Sequence, residues 1–126
     1  MKKVIPDTNV FLRFLLNDVP KQADKAERLF NKAKAGRLKL YIPQIVIFEI
    51  HFALEKYYSL SKELILEKLK ILISTTHFNL QDREVFMKAL EVYSSADISF
   101  VDSFLVSNAS LEGFKLFSFD RRLLKI

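Results

Sequence analysis

Apolar and polar positions along the chain follow two periods, one typical of short strands and one typical of helices. Short apolar runs predict four strands, at residues 4–5, 40–42, 78–80 and 115–118. Between them, apolar residues recur every three or four positions, which predicts helices over residues 9–16, 20–35, 43–58, 61–74, 82–94 and 99–112. Strands that alternate with helices indicate an α/β domain with a mainly parallel sheet. We expect one domain spanning residues 1–126.

Capping residues and turn formers set the expected ends of these helices. Polar side chains that can accept from free backbone N–H groups predict N-caps at Asn9, Ser61, Asp82 and Ser99. Pro43 is placed to open the third helix. The only two glycines, Gly36 and Gly113, are expected to end helices.

The second helix has two distinct faces. Four basic residues recur at steps of four, three and four and form what we call the basic stripe: Lys21, Lys25, Arg28 and Lys32. The opposite face is apolar and is expected to pack inward through Ala23, Ala26, Phe30 and Ala33. The helix over residues 61–74 is instead apolar around most of its circumference, so it is either central or covered by a partner.

Composition excludes several classes of protein. Of the 126 residues, 50% are hydrophobic and 28% are charged, which excludes a disordered chain. There is no cysteine, so disulfide frameworks, thiolate zinc sites and cysteine nucleophiles are excluded, and a reducing cytosol is favoured. The N-terminus lacks the apolar segment of a signal peptide, and no apolar run approaches a membrane span. We expect a cytoplasmic protein without a membrane partner.

The net charge is +5, and its placement is uneven. Residues 1–50 carry ten basic and five acidic residues, whereas residues 51–126 carry ten of each. Composition alone favours a solvated helix face that aids solubility over an anion-binding surface.

Four carboxylates occupy positions that suggest a site; we call Asp7, Glu49, Asp102 and Asp120 the four acids. Asp7 and Asp120 follow predicted strands, where α/β sheets bind ligands. Asp7 could instead be a turn residue, and Asp120 a salt-bridge partner of Arg121 or Arg122.

The other two acids lie on helices. Glu49 shares a helical stripe with Ile45 and Phe52, so we expect it between apolar side chains, where a carboxylate needs a cation, hydrogen-bond donors or a buried salt bridge. Asp102 lies three residues after Ser99, the spacing of a capping box, and can still project toward a strand-end site. Asp97, nearby, is interpreted as a loop acid.

Converging carboxylates repel one another unless a cation neutralises them. Oxygen ligands without cysteine favour Mg²⁺ or Mn²⁺, and such sites hydrolyse phosphodiesters by activating water. Glycine-rich nucleotide loops are absent from the sequence. The only histidines, His51 and His77, are interpreted as structural or surface residues.

In order and spacing, these residues resemble the PIN-domain nucleases, and most closely the VapC-like toxins of prokaryotic toxin–antitoxin systems. The similarity rests on Asp7-Thr8-Asn9-Val10 and its continuation to Pro20, on Ile42-Pro43 before Glu49, on residues 93–109 around Asp102, and on Ser118-Phe119-Asp120. It spans nearly the whole chain and implies an α/β/α sandwich with a short central sheet.

The resemblance implies roles for individual residues. The four acids would be catalytic and bind Mg²⁺, for which Mn²⁺ substitutes, while Thr8, Asn9 and Ser118 would be accessory polar residues. The implied activity is endoribonuclease cleavage of RNA that leaves a 5′-phosphate and a 3′-hydroxyl. The implied partners are RNA, a second copy in a homodimer, and a VapB-like antitoxin whose tail covers the site. Residues 61–74 are the candidate partner surface, and the basic stripe becomes a candidate RNA track.

The sequence departs from the family pattern at two places, and several alternative functions are open. Pro6 stands where the family usually has an apolar strand residue, so the first strand is expected to differ in length, and the chain ends at Ile126, so a final edge strand is expected to be minimal or missing. A PIN nuclease of RNA maturation, without an antitoxin, would lack a small VapB-like reading frame beside its gene. A non-catalytic RNA- or protein-binding module would fail to bind Mn²⁺. A phosphoacceptor receiver domain fits less well because Thr8 and Asn9, rather than a second acid, follow Asp7.

Overall fold

Three short parallel strands form the central sheet of the computed structural model, which describes residues 1–126. The strands are β1 (Lys2–Val4), β2 (Leu38–Ile42) and β3 (Phe78–Leu80), in the order β1-β2-β3. Val4 pairs with Leu40, and Ile42 pairs with Leu80. Alternate residues of the central strand β2 are buried, because successive side chains point to opposite faces of a sheet. The predicted α/β class and the parallel pairing are confirmed.

Seven helices surround the sheet: α1 (Thr8–Leu16), α2 (Pro20–Lys34), α3 (Gln44–Lys56), α4 (Lys62–Ile73), α5 (Arg83–Ser95), α6 (Phe100–Glu112) and α7 (Arg121–Leu124). The first six correspond to the predicted helices within a few residues. Gly113 adopts a positive φ of 74° directly after α6, a conformation that favours glycine, so its predicted role at a helix end is confirmed. None of the helices is both long and apolar enough to cross a membrane.

Two predicted N-caps are confirmed and two are wrong. Ser61 and Ser99 accept hydrogen bonds from the third backbone N–H of their helices, at 3.2 and 3.0 Å. Helix α1 begins one residue earlier than predicted, because Asp7 rather than Asn9 accepts the capping bond. Asp82 precedes α5 in a left-handed conformation and caps nothing with its side chain, since its carboxylate accepts instead from Gln44 at 2.7 Å.

The predicted fourth strand, residues 115–118, is wrong, because this segment pairs with no strand. Phe117 in this segment and Phe119 directly after it are exposed, with 82% and 94% of their surface accessible. Only Leu116 packs inward, against the small cluster of Ile98, Val106 and Leu123. Aromatic and apolar residues favour strands only where a neighbouring strand supplies hydrogen bonds and packing. The first strand also stops at Val4 rather than at Ile5, before the proline that cannot donate to a sheet.

One main core joins the sheet to the helices. Phe30, from the apolar face of α2, stacks on Phe11 at 5.5 Å between ring centroids and meets Phe78 edge-on at 5.0 Å. The predicted inward face of α2 is confirmed, since Ala23, Ala26 and Ala33 are also buried.

Helix α4 lies largely within this core. Ile65, Leu69, Leu72 and Ile73 are buried, so packing inside the domain accounts for most of its apolar surface. Only Leu64 and Ile71 remain as large exposed apolar residues of the helix. A partner surface on α4 would therefore be limited to its outer edge.

Candidate active site

Asp7 lies just beyond the carboxyl end of β1, at the start of α1. The buried Pro6 ends the strand, and the carboxylate of Asp7 accepts from the backbone N–H of Val10 at 3.3 Å. The side chain is otherwise exposed and forms no ion pair. One carboxylate oxygen of Asp7 therefore caps α1, and the other has no protein partner.

Glu49 projects from α3 into the same region. One cavity of about 370 Å³ is lined by Ile5, Pro6, Asp7, Thr8, Asn9, Val46 and Glu49. The two acids line one cavity because α1 and α3 both begin at the carboxyl edge of the sheet. This follows from the parallel arrangement of β1 and β2. Glu49 makes no hydrogen bond and no ion pair within the chain.

The expected apolar enclosure of Glu49 is wrong. Its stripe neighbours Ile45 and Phe52 are 59% and 51% exposed, and Glu49 itself is exposed. The buried face of α3 carries Val46, Ile47 and Ile50 instead. Helical spacing indicates which residues share a face, but which face the rest of the protein covers depends on tertiary packing.

A wider cavity extends the site toward α6. It has a volume of about 670 Å³ and is lined by Thr8, Asn9, Leu12, Phe48, Glu49, Phe52, Ala53, Tyr57, Tyr58 and Val101. Val101 is the residue before Asp102, in the first turn of α6. The start of α6 therefore borders the cavity that contains Glu49, whereas Asp102 itself is half-buried and does not line this cavity.

Asp120 is engaged by an arginine of its own helix. Its two carboxylate oxygens accept from Arg122 Nε at 3.2 Å and Nη2 at 2.9 Å, and one also accepts from the Arg122 backbone N–H at 2.9 Å. These hydrogen bonds hold the pKa of the Asp120 carboxyl below its usual value. Of the two arginines considered as salt-bridge partners, only Arg122 forms the pair.

Arg122 also contacts the loop between α5 and α6. Its Nη1 donates to the backbone carbonyl of Asp97 at 3.0 Å. Its pKa is raised by the hydrogen bond and charge of Asp120 and, to a smaller degree, by the charges of Asp97 and Asp102. Asp97 lies between α5 and α6, as predicted for a loop acid. A guanidinium thus supplies the positive charge in this part of the site.

The accessory polar residues occupy different surroundings. Thr8 and Asn9 line both cavities that contain Glu49. The Ser118 hydroxyl accepts from the backbone N–H of Asp120 at 3.0 Å, which fixes the turn into α7. Ser118 therefore contacts the backbone of its neighbouring acid.

A divalent cation fits part of this arrangement. Asp7 and Glu49 offer carboxylate oxygens to one cavity without a protein cation between them, and oxygen donors suit Mg²⁺ or Mn²⁺. However, no group of three or more His, Asp or Glu side chains is arranged so that it could hold a metal ion. Of the four acids, Asp7 and Glu49 thus form an open pair and Asp120 is paired with Arg122, while Asp102 belongs to neither pair.

His51 has a structural role, as predicted. It is buried, stacks on Phe100 with 4.8 Å between ring centroids, and lies 3.3 Å from the Tyr93 hydroxyl. Burial lowers its pKa, although the charge of Glu55 opposes the shift. His77 contacts the ring of Phe78 edge-on at 5.0 Å, next to β3.

The basic stripe is exposed along α2, and only one of its members, Lys25, lines a cavity that reaches the site. This cavity also contains Arg13, for which no role was predicted. The spacing could have indicated one, since Arg13 follows Asn9 by four positions and therefore shares its face of α1. Arg122 was considered only as a structural partner, and its link to Asp97 depends on the turn before α7.

Comparison with known proteins agrees with this architecture. Residues 4–126 match the PIN domain family. A VapC ribonuclease from Aquifex aeolicus (strain VF5) is 30% identical over 121 residues, which is 95% of this chain and 89% of that protein. The family match includes all four acids. Because it extends over nearly the entire sequence, the chain belongs to the PIN-domain family.

Proposed function

We propose that the protein is a Mg²⁺-dependent endoribonuclease that acts as the toxin of a type II toxin–antitoxin system. The observation that carries the proposal is the shared cavity of Asp7 and Glu49, two carboxylates without a protein cation. Similarity to a VapC ribonuclease along 95% of the chain supports the choice of RNA as substrate.

Asp7 and Glu49 would hold the cation, and Asp102 and Asp120 would be the remaining catalytic acids that bind it. When bound, the ion would supply a water activated for attack and would stabilise the leaving oxygen of the phosphodiester. Thr8 and Asn9 line the same cavities and can donate hydrogen bonds that orient phosphate oxygens. The exposed Phe52 and Tyr57 in the wider cavity offer faces on which RNA bases can stack.

The basic stripe would offset the repulsion between the acids and the RNA backbone. Its four side chains are exposed on one helix, and none forms an ion pair. Reversing the charge of Lys21 and Arg28 should weaken RNA binding and flatten its dependence on salt, because fewer counterions would be released. Metal binding should remain unchanged. If RNA affinity is also unchanged, the basic stripe is only a solvated helix face and does not bind RNA.

The central experiment is an RNA cleavage assay with Mg²⁺, with Mn²⁺ and with excess chelator. We expect cleavage with either ion, none with chelator, and none for Asp7→Asn, whose fold should remain intact because the residue is exposed. Asp24→Asn makes the same chemical change on the exposed side of α2 and should retain activity. Undiminished cleavage in chelator would contradict the metal-dependent mechanism.

A second candidate function is a non-catalytic RNA-binding module. The observation that favours it is the engagement of Asp120 by Arg122, together with the lack of a three-acid group. Calorimetric titration with Mn²⁺ separates the two functions, since the nuclease should bind the ion and the binding module should not.

The proposed antitoxin and homodimer would cover apolar surface that the single chain leaves exposed. Leu64 and Ile71 on α4 and Met87 on α5 are candidates, and a cavity of about 370 Å³ lies between these helices. Expression beside a neighbouring VapB-like reading frame should give a complex in which cleavage is inhibited. Without such a partner, a nuclease of RNA maturation would be favoured.

A further inference from the structure

A groove between α1 and α2 lies outside the acid cavities. It has a volume of about 370 Å³ and is lined by Asn9, Val10, Arg13, Gln22, Lys25, Ala26 and Leu29. The polar side chains include two cations and two amides, while the other three lining residues are apolar. No carboxylate lines the groove. This composition suits a ligand that has both an anionic group and a flat apolar part.

Arg13 is held in place within this groove. Its guanidinium lies 3.3 Å from the Asp18 carboxylate, donates to the Tyr58 hydroxyl and stands over the Tyr58 ring at 5.9 Å from the centroid. The side chain is only 18% exposed, so it loses little further freedom when a ligand binds. Asp18 balances its charge, which leaves Lys25, without an ion pair, as the unbalanced cation.

The groove is adjacent to the acid site through a shared residue. Asn9 lines this groove and also both cavities that contain Glu49. A chain-like ligand with repeating anionic groups can therefore extend from one cavity into the other. RNA has this form, whereas a single small anion would occupy only one of them.

Resting on the proposed function, we propose that the α1–α2 groove binds one nucleotide of the RNA substrate next to the phosphate that is cleaved. Lys25 and Arg13 hold its phosphate, and the base lies on Val10, Ala26 and Leu29. Asn9 and Gln22 carry both donors and acceptors, so they can distinguish base edges. The volume is near the lower end of the range of small-ligand sites, which suits one nucleotide better than a duplex.

An exposed lysine of the same helix, outside the basic stripe, provides a matched control for the test. Lys25 and Lys34 are both exposed on α2 and form no ion pair, but only Lys25 lines the groove. Affinity for a short single-stranded oligoribonucleotide would be measured with chelator present, and KM and kcat for its cleavage with Mg²⁺. Lys25→Ala should weaken binding and raise KM by about tenfold with little change in kcat, as expected for a charged hydrogen bond to phosphate. Lys34→Ala should change the binding affinity and KM by no more than about twofold.

Gln22→Ala tests the contribution of the base separately. Gln22 is exposed and its side chain forms no hydrogen bond in the chain, so folding should be unaffected. Across the four homopolymer oligoribonucleotides, we expect this variant to change relative affinities while the salt dependence stays constant. Equal changes for all four bases would overturn the assignment of base contacts to this groove.

Other outcomes separate the inference from the proposed function. If the wild type cleaves RNA but Lys25→Ala and Lys34→Ala lose equal affinity, the inference about the groove is wrong and the nuclease function still stands. A protein that neither binds nor cleaves RNA would overturn both. If Lys25→Ala weakened binding of a short polyglutamate peptide but left RNA binding and KM unchanged, the groove would be a peptide site and the inference would be wrong.

Discussion

The two parts of the acid set carry the same kind of charge but differ in what balances it. Asp7 and Glu49 line one cavity without a protein cation, whereas Asp120 accepts three hydrogen bonds from Arg122. The difference has a local origin. Asp7 is followed by neutral Thr8 and Asn9, while Arg122 stands two residues after Asp120 at the start of α7. Neighbouring residues thus decide whether an acid beside a helix start remains available to a ligand.

This contrast leads to different expectations for the two parts. The Asp7–Glu49 pair carries uncompensated negative charge and is favourable for a cation that arrives from solution. The Asp120–Arg122 pair already contains its cation, so a metal ion must compete with a guanidinium for the same oxygens. Mutations in the open pair should therefore affect cleavage more than mutations in the paired region.

The largest expected effect is that of Glu49→Gln on RNA cleavage. Loss of one carboxylate from the open pair should lower kcat/KM on the order of a hundredfold or more, while Asp120→Asn should cost less because Arg122 already neutralises that acid. Steady-state cleavage of one oligoribonucleotide measures both. Glu63→Gln, an exposed acid in the first turn of α4, is the matched control. Equal losses for Glu49→Gln and Asp120→Asn would break the comparison.

Removing the guanidinium of Arg122 should leave Asp120 without a protein cation, as Asp7 and Glu49 are. Arg122→Ala frees both oxygens of Asp120, so we expect Mn²⁺ to bind roughly tenfold more tightly and the pKa of Asp120 to rise toward its usual value. Calorimetry measures the affinity, and NMR titration of the carboxyl measures the pKa. Arg121→Ala removes an adjacent arginine that forms no ion pair and should change neither. Weaker Mn²⁺ binding by Arg122→Ala would instead mean that Arg122 positions Asp120 as a ligand.

Part of the pH dependence of stability should come from His51, on the helix that carries Glu49. Burial lowers the pKa of His51, so the folded state favours the neutral imidazole. The stability that neutral His51 contributes is therefore fully present above about pH 6.5, the ordinary pKa of an exposed histidine. It is lost as the pH falls from there toward the lower pKa of His51 in the folded state. Denaturant unfolding between pH 5 and pH 8 tests this.

In His51→Asn this slope should flatten, with a further loss of about 1 kcal/mol at neutral pH from the missing stack on Phe100. An unchanged slope in His51→Asn would assign the pH dependence to other groups. The measurement also separates loss of cleavage at low pH from unfolding.

Much of the fold could be predicted because local patterns and tertiary packing agree. The alternation in β2 and the two faces of α2 each correspond to buried and exposed sides of the structure. The predicted strand at residues 115–118 failed because pairing is not a local property, and no strand lies beside this segment. Apolar character predicted an element there, but no neighbour buries it.

The position of the candidate site could be predicted only in part, and its environment less so. The sequence predicted that four acids converge, and one cavity contains two of them, Asp7 and Glu49. It did not indicate that Ile45 and Phe52 are exposed, since periodicity cannot reveal which face of α3 is covered. The contact of Arg122 with the Asp97 carbonyl joins residues 25 positions apart and depends on a turn without regular structure.

The smallest expected effect concerns the exposed aromatics that precede Asp120. Phe119 is 94% exposed and touches mainly Phe117, at 5.6 Å between ring centroids, so Phe119→Ser should change the free energy of unfolding by less than about 0.5 kcal/mol. Phe86→Ala, at a fully buried position, should cost about 3–5 kcal/mol and calibrates the measurement. A large loss for Phe119→Ser that grows with protein concentration would mean that a second copy buries this segment. The region around Asp120 would then be completed by assembly, and its difference from the Asp7–Glu49 pair would hold only for the single chain.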